Sequence, residues 1–340
     1  MKVGLVGFGS SGKSSVFSAL TGSPPQVGKG AIASTRVPDQ RIDALADMWQ
    51  PRKTTYAEIV FVDYTAGSFG RGSGALSPAI LAEMRTLDVL AEVADAFSGG
   101  GEDGAIGDIA SFRDELLLSD LAVVESRLGR LAKQKGDDRE EALLLRCLGA
   151  LEESRELRLL DLSEAENEAL LGFGFLSLKP RIIVANFAES EAGGGHGGID
   201  AQAKALGLEA VCMSAPLEYE ISRLDSDGRT EFLEELGLEA VASDRFVAAC
   251  YRLLDLITFL TAGEDEVRAW SIPAGTAAAV AAGKIHSDIA RGFIRAEVIS
   301  YRDYIELGSE SACRDAGKLR VEGRNYVVAD GDIVHFRFNV

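Results

Sequence analysis

Lys13 and Ser14 stand side by side at the end of a glycine-rich stretch, MKVGLVGFGSSGKSS. Gly7, Gly12, Lys13 and Ser14 satisfy GxxxxGKS, a spacing that lets backbone N–H groups curl around a phosphate. The lysine reaches the β- and γ-phosphate oxygens, and the serine hydroxyl offers a ligand to Mg²⁺. Gly7, Gly9 and Gly12 also spell GxGxxG, which in a dinucleotide site holds a pyrophosphate at a helix N-terminus. That alternative requires an acidic residue roughly twenty positions further on, to bind a ribose hydroxyl. No Asp or Glu lies between Pro25 and Thr35, and the alternative has no use for Lys13 and Ser14. The phosphate-loop reading uses every residue. It makes Gly7, Gly9, Ser10, Ser11, Gly12, Lys13, Ser14 and Ser15 the expected nucleotide-binding stretch, with Lys13 as its catalytic cation.

Other residues fall into the same chemistry. Asp63 ends the apolar run YAEIVFVD, where a carboxylate would support Mg²⁺ directly or through water. A plain helix cap is the alternative role for it. In VANFAES, Asn186 and Glu189 keep the spacing of the guanine reader Asn-Lys-x-Asp, with Phe187 in the lysine position. Glutamate adds a methylene, and a pocket that loses this fit loses its discrimination against adenine. ATP is therefore the expected ligand, with GTP also admitted. Ser214 and Ala215, in MSAP, match the Ser-Ala loop that packs near the base. Thr35, or else Ser34, is the candidate hydroxyl to complete the Mg²⁺ shell; the alternative is an ordinary polar loop residue.

Such residues need a scaffold. KVGLV, YAEIVFVD, RIIVANFAES and LEAVCMSAP read as buried strands separated by helices, which points to a parallel α/β sheet. Ligands bind such sheets at the carboxyl ends of the strands, where the polar residues named above lie. Residues 26–35 show no period and read as irregular. Leu117, Leu121, Val124, Leu128 and Leu131 step by four and three, and Leu144, Leu148 and Leu151 repeat the step. With the polar break KQKGDD between them, they predict an antiparallel coiled-coil hairpin. SGGGEDGAIGD, 98–108, reads as a mobile loop, and EAGGGHGGID, 191–200, as a glycine cluster containing His196. From about Glu264 short strands with turn signals predict a small mixed β domain. The expected domains are 1–110 with 169–262, a helical insertion over 111–168, and 263–340.

The chain has 340 residues and a formal net charge of −18, which argues against nucleic-acid binding over the whole surface. Cys147, Cys212, Cys250 and Cys313 lack metal-ligand spacing and read as reduced thiols. No apolar run has membrane-spanning length, and the first strand runs into the glycine loop without the features of a signal peptide. A cytoplasmic monomer without a membrane partner is expected.

From these motifs the chain resembles the YchF/Obg-like ATPase family of P-loop proteins nearly end to end. VPDQRIDALADMWQP, SDLAVVESRLGRL and SLKPRIIVANFAE are similar to family segments, and the family carries glutamate where Glu189 stands. AAGKIHSDIARGFIRAEVISY and AGKLRVEGRNYVVADGDIVHFRFNV resemble its C-terminal TGS domain, a ubiquitin-like β-grasp module. The resemblance implies an ATPase that associates with ribosomes, through RNA or protein, in translation or stress regulation. Three features depart from the family. Gly9, Ser10 and Ser11 replace Pro-Asn-Val in the phosphate loop. Gly67, whose N–H would touch the γ-phosphate, follows Asp63 by four residues rather than three. The histidine that family members are proposed to use is missing between Phe97 and Phe112.

Two functions remain open on the sequence. One is a slow switch ATPase; the other is a nucleotide-binding adaptor without turnover. Lys284, Arg291, Arg295, Arg320 and Arg324 form either an RNA contact or scattered solvated charges. His286 and His335 read as structural or partner-facing. The coiled-coil tip, with Lys133, Lys135, Asp137 and Asp138, either meets a partner or only ends a brace.

Overall fold

The computed structural model describes residues 1–24, 30–63, 77–98, 100–133, 138–191, 196–235 and 240–339. Its strands in chain order are β1 (Lys2–Val6), β2 (Ala31–Arg36), β3 (Lys53–Thr55), β4 (Glu58–Asp63), β5 (Val89–Asp95) and β6 (Arg181–Asn186). They continue as β7 (Glu209–Met213), β8 (Leu256–Thr261), β9 (Glu266–Pro273), β10 (Phe293–Ser300), β11 (Arg320–Glu322) and β12 (Asp332–Phe338). The chain divides into two compact units, residues 1–35 with 60–249 and residues 36–59 with 250–340.

The first unit is built on a six-stranded sheet of order β2-β4-β1-β5-β6-β7. β4, β1, β5, β6 and β7 pair in parallel, with Leu5 opposite Asp63, Asp95 opposite Asn186 and Asn186 opposite Met213. Helices cover such a sheet on both faces, so its central strands are apolar almost without interruption. β6 is buried at every position. The registers bring Gly7, Asp63, Asp95, Asn186 and Ser214 to one edge of the sheet. β2 forms within the stretch expected to be irregular. β5 is a central strand that sequence reading missed, because Glu92 interrupts its apolar run.

Glu92 is only 1% exposed. It is tolerated there because Arg181, on neighbouring β6, donates to it at 2.6 Å and to buried Glu156 at 2.6 Å. Burial still pushes the Glu92 carboxyl up to about 7, against the pull of Arg181.

The helical arm follows the expected seam. Leu117, Val124 and Leu131 of the helix Gly101–Leu131 pack with Leu144, Cys147 and Leu151 of the return helix Asp138–Glu152. The expected mobile loop over 98–108 is instead helical from Gly101. Ala105, Ile109 and Phe112 are fully buried there, and that burial overrides the poor helix propensity of the glycines. Asp120, also buried, accepts the N–H groups of Leu176 at 2.9 Å and Ser177 at 2.7 Å, anchoring the arm to the segment before β6. Residues 134–137 of the tip lie outside the described residues.

The second unit holds a sheet of order β11-β10-β12-β8-β9-β3. The helix Ala278–Ile285 buries Ala278, Ala281 and Ala282 in one cluster with Phe259, Val298 and Phe336 of the sheet. The expected boundary at 263 would cut between β8 and β9, which pair antiparallel from Leu256 to Thr261. A split hairpin would orphan those backbone groups, so the boundary moves back towards residue 250. β3 joins this sheet by parallel pairing with β9, from Lys53 opposite Glu266 to Thr55 opposite Arg268. Arg41 fastens the same segment through Asp330 at 2.7 Å, and Trp49 stacks on Tyr304. No helix among the described residues is long and apolar enough to cross a membrane.

Candidate functional site

The loop after β1 has left-handed backbone at Gly7 (φ 129°), Ser10 (φ 63°) and Gly12 (φ 88°). Glycine is required twice for space as well. A Cβ on Gly7 would lie 2.5 Å from the Val93 carbonyl oxygen, and one on Gly12 would lie 2.2 Å from Asn186 Nδ2. Gly9 is half-buried and Ser10 exposed. The helix Lys13–Thr21 starts from Gly12 with no side-chain cap, so its first N–H groups are left for an anion.

Lys13 opens that helix and is 4% exposed. Its ammonium donates to the carbonyl oxygens of Gly7 at 3.0 Å and Phe8 at 2.6 Å. Burial lowers its pKa to about 8, and the negative charge of Asp63 opposes that fall. Asp63, at the end of β4, is 1% exposed. Ser14 is half-buried on the first helical turn and Ser15 is exposed. Phe8 is held by an edge-to-face contact with Phe112 of the arm helix, at 6.4 Å between ring centroids.

Asn186 fastens two loops together. Its Nδ2 donates to the Ser11 carbonyl at 3.2 Å, and its Oδ1 accepts from the Ala215 N–H at 3.1 Å. Ser11 and Ser214 are buried, and their hydroxyls have no hydrogen-bond partner among the described residues. Ser214 caps the helix Ala215–Ile221 by position alone, without a side-chain bond. Asn186→Ala removes both bonds, worth about 1 kcal/mol each. Mg²⁺·ATP affinity measured by titration calorimetry is expected to fall about tenfold or more; unchanged affinity would remove Asn186 from the site.

Thr35 stands apart from the phosphate loop. Thr35 Oγ donates to the Leu20 carbonyl at 2.5 Å, at the far end of the helix whose first turn carries Ser14, so the structure does not bring this hydroxyl to Ser14. Ser34 is exposed on β2. Glu189 is exposed in a single helical turn, Glu189–Glu191. Gly67 lies outside the described residues. His196, in the glycine cluster, stacks its ring on Phe187 at 3.7 Å and precedes the helix Gly197–Ala205. His286 accepts from the Asp288 N–H at 3.2 Å, a capping role.

Phe97 is a residue that sequence reading did not find. It is 43% exposed, yet its ring edge lies 3.5 Å from where a Gly12 Cβ would stand. Asp95 sets the turn that carries it, accepting from Phe97 N at 3.2 Å and Ser98 N at 3.0 Å. An aromatic residue just past a strand end was the available signal.

The donor set suits a magnesium triphosphate. Ser14 and Asp63 offer hard oxygen ligands, and the uncapped helix end with its two tight glycines forms a phosphate cradle. Among the described residues no cluster of three or more His, Cys, Asp or Glu could hold a metal unaided.

Residues 256–339 match the family model YchF-GTPase_C, described as a protein of unknown function. The Ribosome-binding ATPase YchF of Pasteurella multocida is 37% identical, covering 100% of this chain and 99% of its own length. That of Bacillus subtilis is 35% identical over the whole of both chains. The solved YchF GTPase of Schizosaccharomyces pombe superposes with a TM-score of 0.90 at 29% identity, covering 99% of this chain and 97% of its own.

Proposed function

The chain belongs to the YchF family, and on that premise we propose that it is a slow P-loop ATPase that works as a nucleotide switch on ribosomes. The observation that carries this reading is Lys13, a buried ammonium held on the carbonyls of Gly7 and Phe8 at the mouth of an uncapped helix and coupled to Asp63. Phosphoryl transfer needs positioning and charge stabilisation more than covalent chemistry. Lys13 leaves its two carbonyls for the β- and γ-phosphate oxygens, and the loop N–H groups from Gly9 to Ser15 hold the β-phosphate. Ser14 ligates Mg²⁺ and Asp63 backs it. When bound, the ion neutralises charge that develops between the β- and γ-phosphates. Asn186 and Ser214–Ala215 shape the base site, and Glu189 faces the base. Thr35 must release Leu20 to join the metal, and Gly67 N–H senses the γ-phosphate. The arm, 111–168, and the TGS domain, 263–340, meet the ribosome. The protein acts as a cytoplasmic monomer.

The adaptor reading is favoured by one observation, the engagement of Thr35 with Leu20 rather than with the Ser14 side of the helix. Titration with Mg²⁺·ATP and Mg²⁺·GTP, followed by single-turnover hydrolysis, separates the two. ATP is expected to bind about tenfold more tightly than GTP, and Glu189→Asp to narrow that gap. Binding without turnover, with ribosomes present as well as absent, selects the adaptor. A preference for GTP overturns the role of Glu189.

A further inference from the structure

One helix belongs to both the nucleotide site and the arm. Gly101–Leu131 runs unbroken for 31 residues. Its Phe112 and Leu116 lie in an apolar cluster with Val6, Met84, Leu90 and Leu176, and Phe8 of the phosphate loop packs against that cluster. Leu117, the next residue, begins the arm seam that continues through Val124 and Leu131. Two braces hold the helix just past Phe112. Asp120 takes the N–H groups of Leu176 and Ser177. Arg85, which closes the helix Pro78–Met84, donates to Ser119 Oγ at 3.3 Å and to the Gly174 carbonyl at 3.2 Å. Along the helix axis Phe112 stands about 12 Å to one side of Asp120 and Leu131 about 16 Å to the other. Close-packed interiors transmit a shift rather than absorb it, so a change at Phe112 reaches the brace at Asp120.

The Phe112 end is tied to the occupancy of the loop. Phe8 makes the edge-to-face contact with Phe112, and its carbonyl oxygen accepts from the Lys13 ammonium at 2.6 Å. A bound triphosphate takes that ammonium for its own oxygens. The Phe8 carbonyl then loses a charged donor, the stronger kind of partner. Gly9 follows it without a side chain, so the Phe8–Gly9 peptide is free to turn towards a new partner. An edge-to-face pair depends on the mutual angle of its rings, and the Phe8 ring moves with its backbone.

We propose that the Phe8–Phe112 contact couples the phosphate loop to the arm, loosening the arm root when a triphosphate draws Lys13 off the Phe8 carbonyl. This coupling rests on the nucleotide-switch reading above and supplies the switch with its moving part. The readout is the Leu176 and Ser177 amides, which Asp120 of the arm helix holds and which lie outside the phosphate loop. Hydrogen exchange over residues 171–180 is followed by mass spectrometry in the full chain, empty and saturated with Mg²⁺·ATP. Exchange is expected to be about fivefold faster in the loaded protein, the lower end of ordinary coupling between sites. Phe112→Leu keeps the cluster apolar but lacks the ring edge, and its exchange is expected to be the same empty and loaded. Phe8→Leu cuts the contact from the other side and decides the matter should Phe112→Leu not fold. Calorimetry on the same samples shows that nucleotide is bound. Equal exchange in the empty and the saturated unaltered protein overturns the coupling and leaves the ATPase reading standing. A response that persists in either leucine variant also overturns it. If no nucleotide binds, the ATPase reading falls and Lys13→Met decides the coupling, because it takes the donor from the Phe8 carbonyl without a ligand. Exchange about fivefold faster than in the unaltered protein then supports the coupling, and equal exchange overturns it.

Discussion

Lys13→Ala is expected to lower ATP turnover by a factor on the order of 10²–10³, the size of effect seen when a preorganised charge is taken from a transition state. The side chain sits at the one place where burial, the helix N-terminus and Asp63 converge, and no other described cation is held on the carbonyls of that loop. Single-turnover hydrolysis with saturating Mg²⁺·ATP reads the chemical step apart from binding; turnover within twofold of the unaltered protein would sink the mechanism. The same residue carries a stability cost. Its folded pKa is about 8 against an ordinary 10.5, so burial disfavours its charged form. Below pH 8 both folded and unfolded chains hold the proton, and the folded state bears the full cost of the buried ammonium. Between pH 8 and 10.5 the unfolded chain holds more protons, so this group makes stability rise with pH. Lys13→Met, apolar and of similar length, is therefore expected to melt at higher temperature than the unaltered nucleotide-free protein at pH 7. The gain is expected to shrink towards pH 10. An unchanged or lower melting temperature at pH 7 would contradict a strained lysine.

Arg181→Met is expected to destabilise the first unit strongly. It leaves Glu92 and Glu156, both 2% exposed or less, without the cation that bridges them. Removing one partner of a buried ionic set costs about 3–5 kcal/mol, because an uncompensated charge stays behind. In a chain of this size that lowers the melting temperature by on the order of 10 °C. The Glu92 carboxyl is already raised from 4.5 to about 7 with Arg181 present, and goes higher without it. A raised carboxyl means the folded state binds more protons, so its contribution is fully present below pH 4.5 and is lost as pH rises through 7. The variant should therefore lose more stability at pH 8 than at pH 6. Adding Glu92→Gln and Glu156→Gln to the variant is expected to recover part of the loss. Calorimetry at the two pH values checks all three statements, and an equal loss at both would exclude Glu92 as the titrating group.

These two residues mark the difference between what is local and what is distant in this chain. Lys13 was legible because a phosphate loop is one continuous segment; its chemistry depends on neighbours within a few positions. The arm seam was legible for the same reason, since helical periodicity repeats every three or four residues. Family likeness extended that reading over the C-terminal strands. Arg181 was invisible as an anchor, and with it β5, because Glu92 looks like a surface residue until a partner 89 positions away is known. The helix from Gly101 was hidden in the same way, under glycines whose weak propensity is overruled by buried Ala105, Ile109 and Phe112.

The sequence by itself determined the phosphate loop, the parallel strands that end in Asp63 and Asn186, the hairpin arm and the β-rich C-terminal region. Each follows from spacing within one segment. Only the tertiary structure decided that Asn186 clasps Ser11 to Ala215, that Thr35 rests on Leu20, and that Lys53–Thr55 completes the second sheet. Each of those depends on hydrogen-bonding groups far apart in the chain, whose pairing is set by which surfaces pack together and leaves no periodic trace in any one segment.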